Sequence, residues 1–296
     1  MKWVEFSVVV PSEQVEKVST ILGKYGQGGP ITEEWESETT HEKSYIVKIY
    51  VPNNAAFKET RQEIIQKFIQ NGYPSPSHLR EIILKPEDWF QSLRKHFGIL
   101  DIGDRFIIKP SWIYKPLPDS TRIIIELDPG EAFGTGLHPT TRLCLLRIDK
   151  YLKAGMSVLD LGTGSGILAI AAAKSGASFV LGLDIDPVAA KVAHANVNSN
   201  HVENNVQIKR GNLSQNIQRQ YRAYFDLALA NISAETIIDL SVPFFKILKP
   251  GGRLVVSGIQ VQALDKVLIG LAIANFNLEA IEQQEDWCVV VSKKPL

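Results

Sequence analysis

In the first 85 residues, apolar positions switch between the period of a strand and the period of a helix. Trp3–Val10 alternates apolar and polar residues over part of its length and reads as a strand. After Pro11, the residues Val15, Val18, Leu22 and Tyr25 fall on one helical face, which Gly26, Gly28 and Gly29 break. Strands are expected around 31–36 and 44–51, on either side of a polar connection. Phe57, Ile64, Ile65, Phe68 and Ile69 mark a second helix that ends near Gly72, and a strand at 79–84 follows. The order β-α-β-β-α-β predicts a small α+β sandwich, ferredoxin-like if its strands pair in the split manner. No residue in it has the character of a catalytic centre, so residues 1–85 read as a recognition or structural domain.

Residues 86–120 read as a connection. Pro86-Glu87-Asp88-Trp89-Phe90 opens it, a helix is expected to about Phe97, and a Pro-rich loop spans 110–118 between strands near 105–110 and 122–127. A second domain, 121–296, is expected beyond it. From residue 140 onward helices and strands alternate, which predicts a doubly wound α/β domain. Its sheet would use 156–161, 179–184, 206–210, 225–230 and 253–257. Segments 278–283 and 287–292 read as a closing pair, leaving the last strand antiparallel.

The stretch Val158-Leu-Asp160-Leu-Gly162-Thr-Gly164-Ser-Gly166 sits between a predicted strand and an apolar helix, Ile167–Lys174. Glycines allow a tight turn and a close approach of backbone to ligand, and the helix amino terminus behind them offers free N–H groups. A nucleotide-like ligand with a carboxylate or phosphate would suit the loop; a plain packing turn is the alternative. The dinucleotide pattern needs its third glycine at 167, where this chain has Ile167. No P-loop lysine follows. The next strand, Phe179–Leu183, ends at Asp184, whose carboxylate can accept hydrogen bonds from both hydroxyls of a ribose. Asp186 reads as a helix N-cap with Pro187 in the first helical position.

Two other segments reach the same crevice. The strand after Asp226 ends at Asn231, a neutral acceptor suited to orienting an amine, although Asn231 could instead cap the helix beginning near Ser233. Residues 128–141 carry three glycines and two prolines and form a loop, in which Phe133 and His138 are expected to pack on something. Thr140 and Thr141 could cap the following helix or bind a ligand carboxylate. His138 reads as a structural hydrogen-bonder rather than a general base.

Composition narrows the rest. The 296 residues are 45% hydrophobic and 22% charged, with 32 basic and 32 acidic side chains. That balance gives no overall electrostatic grip on nucleic acid, so no direct nucleic-acid binding is expected, although a local basic patch is possible. Apolar runs fall short of the roughly 20 residues of a membrane helix, and no signal peptide precedes Trp3. A soluble cytoplasmic protein without membrane contact is expected. Cys144 and Cys288 show no metal-ligand spacing.

The D-x-G-x-G-x-G pattern at Asp160–Gly166 resembles motif I of the class I methyltransferases, which use S-adenosylmethionine and close their sheet with an antiparallel strand. The string Asp-Pro-Gly-x-Ala-Phe-Gly-Thr-Gly-x-His-Pro-Thr-Thr at 128–141 is more specific. With Gly164–Ala172, Asp184-Ile-Asp-Pro187, Ala230-Asn-Ile232, Ser257-Gly-Ile259, Glu87-Asp88-Trp89, Lys109-Pro110-Ser111-Trp112 and Asp286-Trp287, it resembles the bacterial methyltransferases of large-subunit ribosomal protein eleven. The likeness covers about residues 86–293, and the first domain resembles that family's substrate-recognition domain in position and pattern. The resemblance implies N-methylation of lysine ε-amino groups and of the α-amino terminus of that ribosomal protein, with S-adenosyl-L-homocysteine as the other product. It implies cofactor contacts at Phe133, Thr135, Thr141, Gly162, Gly164, Asp184 and Asn231, with Asn231 also orienting the amine, and no metal. Two positions depart from the family: Phe97-Gly98-Ile99 stands where Lys-Pro is frequent, and Thr163 where cysteine is frequent. Other readings are a methyltransferase of another protein or small amine, and a non-catalytic adenosylmethionine-binding module.

Overall fold

A computed structural model describes residues 3–23, 25–26, 30–36, 43–53, 57–73, 79–84, 98–113, 121–127 and 134–296. The chain forms two compact units, Met1–Gly98 and Ile99–Leu296, dividing within the predicted connection. The helix expected up to Phe97, most of the Pro-rich loop and residues 128–133 lie outside the described residues.

In the first unit, β1 (Trp3–Pro11), β2 (Ile31–Glu36), β3 (Lys43–Pro52) and β4 (Arg80–Leu84) form an antiparallel sheet in the order β2-β3-β1-β4. The period-2 residues Val4, Phe6, Val8 and Val10 turn one face of β1 inward. They pack on Val18 and Leu22 of α1 (Val15–Gly23) and on Ile64 and Phe68 of α2 (Phe57–Gln70), the residues that the helical period singles out. Within the acidic run of β2, Glu33 pairs with Lys48 on the neighbouring strand at 2.5 Å.

The second unit begins with a small sheet of β5 (Leu100–Ile102), β6 (Phe106–Lys109) and β7 (Ile123–Glu126). Its main sheet has seven strands: β8 (Ser157–Leu161), β9 (Phe179–Asp184), β10 (Val206–Arg210), β11 (Phe225–Asn231), β12 (Leu248–Gln260), β13 (Asn277–Gln284) and β14 (Trp287–Lys293). The order is β10-β9-β8-β11-β12-β14-β13, with the first five parallel and β14 antiparallel to both neighbours. The chain starts at the central β8, moves outward through β9 and β10, then returns to β11 on the other side. The switch point between β8 and β11 opens a crevice at the carboxyl ends of these strands.

Both faces of the parallel strands are covered, so they read as continuous apolar runs such as Leu227–Ala230. α4 (Ile167–Lys174) is likewise apolar on all sides, because Ile167–Ala172 are all buried. Strand β12 starts earlier than residue 253, at Leu248, which pairs with Phe225 before a bulge carries the strand through Pro250-Gly251-Gly252. Turn residues hid that extension. The end of β12 lies against Ile232: a Cβ on Gly258 (φ +83°) would come within 2.2 Å of the Ile232 carbonyl oxygen. Gly258→Ala is therefore expected to lower unfolding free energy by about 2 kcal/mol or more in denaturant titrations, since backbone cannot yield as a side chain can.

Candidate active site

The crevice is built from the ends of three neighbouring strands. After β8 the backbone turns through Gly162 (φ +73°), Gly164 (φ +56°) and Gly166 (φ +86°), a left-handed path that side chains resist. A Cβ on Gly162 would lie 2.5 Å from Cγ2 of Ile232, just past Asn231, so the β8 loop and the end of β11 are in contact. The N–H groups of Gly162 and Thr163 donate to the Leu183 carbonyl at 2.8 and 3.0 Å, tying the loop to β9.

Asp184, at the tip of β9, accepts from Gly164 N at 2.9 Å with Oδ2 and from Asp186 N at 3.0 Å with Oδ1. Each oxygen keeps a further lone pair, so the two can serve a pair of neighbouring hydroxyls. Asp186 caps α5 (Pro187–Ser199) by accepting from Val188 N at 2.8 Å. That leaves Asp184 to the crevice.

At the end of β11, Asn231 Nδ2 donates to the Thr141 hydroxyl at 3.4 Å. The cap of the following helix, α7 (Ala234–Asp239), is Ser233, whose Oγ accepts from Thr236 N at 3.4 Å. The alternative role considered for Asn231 is thus filled by another residue. Thr140 and Thr141 are likewise not caps. They lie buried inside α3 (Pro139–Tyr151), whose N-cap is His138. An imidazole is an unusual cap, and the Pro139-Thr140-Thr141 sequence drew attention to the hydroxyls instead. The His138 Nδ1 accepts from Thr140 N at 3.3 Å and lies 2.7 Å from Thr140 Oγ1, while the ring packs edge-on against Trp287 with centroids 4.8 Å apart. Acceptance at Nδ1 assigns the ring proton to Nε2. Burial lowers the His138 pKa to about 4, so the ring is neutral at pH 7.

Segment 134–141 is anchored to the glycine loop by Ser165, whose hydroxyl donates to the Gly134 carbonyl at 2.6 Å. Thr135 closes a local turn, its Oγ1 accepting from Leu137 N at 3.3 Å. Phe133 lies outside the described residues. The structure therefore joins Gly162, Gly164 and Asp184 in one network and Thr141 and Asn231 in another, with Ile232, next to Asn231 in the chain, lying against Gly162.

The residue that sequence reasoning quoted without assigning is Asp160. It is fully buried, and its Oδ2 accepts from Thr163 Oγ1 at 2.6 Å and from Ala169 N at 3.1 Å. Its Oδ1 has no hydrogen-bond partner among the described residues. Burial raises the Asp160 pKa to about 7, against the opposing effect of those two donors. An acid at the end of a buried strand was the available signal. Thr163, which stands where the family often has cysteine, donates to that carboxylate.

A turn of left-handed glycines, a carboxylate with spare acceptors and a buried acid with an orphan oxygen suit a ligand bearing a ribose and a cationic amino-acid group. Together with the mixed seven-stranded sheet, they define a class I methyltransferase site. Residues 2–295 match the family described as ribosomal protein L11 methyltransferase (PrmA). The ribosomal protein L11 methyltransferase of Geobacillus kaustophilus is 39% identical, with 100% of each chain covered. The one from Chloroflexus aurantiacus is 37% identical, over 99% of this chain and 98% of that one. A crystal structure of ribosomal protein L11 methylase from Lactobacillus delbrueckii subsp. bulgaricus is 32% identical, with a TM-score of 0.61. It covers 68% of this chain and 100% of that chain. The chain belongs to the ribosomal protein L11 methyltransferase family, and its cofactor is S-adenosylmethionine.

His138 and Asp160 impose opposite pH dependences on stability. The folded pKa of His138, about 4, lies below its ordinary 6.5, so its contribution is complete above pH 6.5 and is lost as pH falls toward 4. The folded pKa of Asp160, about 7, lies above its ordinary 3.8, so its contribution is complete below pH 3.8 and is lost as pH rises toward 7. Between pH 4 and 6.5 the two slopes oppose. His138→Asn, which keeps a capping side chain, should tilt unfolding free energy downward with rising pH, by up to about 1.4 kcal/mol per pH unit relative to the parent chain. Asp160→Asn should tilt it upward. Parallel curves for all three proteins in urea titrations from pH 4 to 6.5 would contradict the assignment.

Proposed function

We propose that this chain methylates ribosomal protein L11 on lysine ε-amino groups and on its α-amino terminus. The observation that carries the reading is the state of Asn231. Its Nδ2 is committed to Thr141, which orients the amide and presents Oδ1, to which no described residue donates. A neutral oxygen accepts an N–H of an incoming amine and aims its lone pair without a charge that would hold the ammonium form.

When bound, S-adenosylmethionine would supply an activated sulfonium methyl for transfer to an amine, leaving S-adenosyl-L-homocysteine. The protein's work is positioning. Asp184 would hold the ribose hydroxyls, and the backbone of Gly162 and Gly164 would let the ligand approach closely. Ile185, 71% exposed beside Asp184, offers an apolar face to the base. Thr141 holds Asn231, and Thr135, with Phe133 as the family resemblance implies, would contribute to holding the ligand. Asp160, buried behind the glycine loop, would hold that loop in place through Thr163 and Ala169.

The target must lose its proton first, since a free lysine has a pKa of about 10.4 and an α-amine about 8. His138 does not take it: Nδ1 is spent in the cap and Nε2 already carries hydrogen. The amine gives its proton to water before transfer, and no dedicated base is needed. The first unit, read as a ferredoxin-like recognition domain, docks the substrate, and the reaction takes place in the cytoplasm.

Incubation with methyl-labelled S-adenosylmethionine and unmethylated ribosomal proteins, followed by mass mapping, should place the label on amines of L11. Label confined to another protein, or to oxygen or carbon atoms, would overturn the assignment. Asn231→Ala should slow single-turnover transfer at saturating cofactor about 10- to 100-fold, equivalent to about 1.4–2.7 kcal/mol. Asn231→Asp should move the pH-rate profile upward, because its charge favours the ammonium form. An unchanged rate and profile in both would remove Asn231 from the chemistry.

A further inference from the structure

In the second unit, several arginines and lysines pair with carboxylates, among them Arg105 with Asp149, Arg122 with Asp101, Arg147 with Glu282, Lys249 with Asp226 and Arg253 with Glu279. Three other cations gather around one cavity. A cavity of about 400 Å³ is lined by Gln215, Gln218, Arg219, Arg222 and Lys246, with no acidic residue among them. Arg219 and Gln218 belong to α6 (Gln215–Gln220), and Lys246 to the last turn of α8 (Ser241–Ile247). Arg222 lies three residues before β11 begins at Phe225. The cavity thus lies at the amino ends of β11 and β12, whereas the cofactor crevice lies at the carboxyl ends.

All three cations are exposed, and none makes an ion pair with a described residue. Complementing a helix dipole accounts for one cation at the end of α6 and one at the end of α8. It does not account for Arg222. A fourth cation lies close by at the carboxyl end of α8, Lys294, whose ammonium donates to the Phe245 and Leu248 carbonyls at 2.7 and 2.8 Å. The Lys294 pKa is lowered, first by burial and then by repulsion from Arg222, so the like charges sit close enough to feel one another.

The backbone beneath these side chains is tied together. Ala223 N donates to the Lys246 carbonyl at 3.0 Å and Tyr224 N to the Ile247 carbonyl at 2.8 Å, which ties the two helix ends together. Gln218 Nε2 is anchored on the Leu213 carbonyl at 2.7 Å. Two guanidinium groups, an ammonium and two amides line one cavity, a donor set and charge suited to phosphate oxygens.

We propose that this basic pocket binds a phosphate-bearing anion, at a site separate from the cofactor crevice. Free polyphosphate and the backbone of RNA present the same group, and the test separates them. Binding of pyrophosphate and of a 12-nucleotide single-stranded RNA to the full chain is measured by calorimetry at 0.1 M salt. The triple variant Arg219→Gln/Arg222→Gln/Lys246→Gln and the distant control Lys191→Gln are measured alongside it. Saturable binding of pyrophosphate alone assigns a free anion; RNA binding that pyrophosphate displaces assigns the RNA backbone. In either case the triple variant should bind at least tenfold more weakly while its affinity for S-adenosylmethionine is unchanged. For RNA, the slope of log affinity against log salt should fall by about 2. If the triple variant loses cofactor binding and so has not folded, Arg222→Gln alone takes its place, with a loss of at least threefold expected. No saturable binding of either probe, equal affinity in the variant, or an equal loss in Lys191→Gln would overturn the proposal.

Discussion

Asp160 is a carboxylate with no exposure to solvent, and the segment that follows it is arranged to keep it there. Thr163 Oγ1 and Ala169 N converge on one of its oxygens, drawing the glycine loop and the first turn of α4 back against the end of β8. An unpaired charge in such a place costs several kcal/mol, and for that reason its pKa is pushed up to about 7. The loop is thereby held in the left-handed path its glycines permit. Gly164 N is then aimed at Asp184 and Gly162 is brought against Ile232.

The crevice follows from that constraint. Strand order places β9 and β11 on either side of β8, so residues from three separate strands meet at one switch point. Asp184 reaches it because Asp186 takes the capping role, and Asn231 because Ser233 does. Segment 134–141 is fastened over the site by Ser165 and by the contact between Thr141 and Asn231. Each contact is modest alone, roughly 1 kcal/mol. What they provide together is fixed geometry, which a methyl displacement requires more than it requires acid or base.

Much of this was legible in the amino-acid sequence. Strands that form the parallel sheet announce themselves as apolar runs, and the early third glycine distinguished the loop from a dinucleotide site. The Asp186-Pro187 cap was legible because it is local. The His138 cap was not, since an imidazole seldom serves there and the two threonines beside it are better formers of such caps. The early start of β12 was hidden by Pro250-Gly251-Gly252, where pairing of Leu248 with Phe225 overrides the turn signal. The importance of Asp160 depends on burial, which no local pattern reports. The basic pocket joins residues from α6, α8 and the approach to β11, too far apart in sequence to show in a chain of zero net charge.

The central claim is that the switch-point crevice holds S-adenosylmethionine through the β8 loop and Asp184. Calorimetric titration of the full chain with S-adenosylmethionine and with NAD, repeated on Asp184→Ala, tests it directly. The account predicts saturable binding of S-adenosylmethionine, none of NAD, and at least a tenfold loss of affinity in Asp184→Ala with the fold intact. Binding of NAD in place of S-adenosylmethionine, or undiminished affinity in Asp184→Ala, would contradict it.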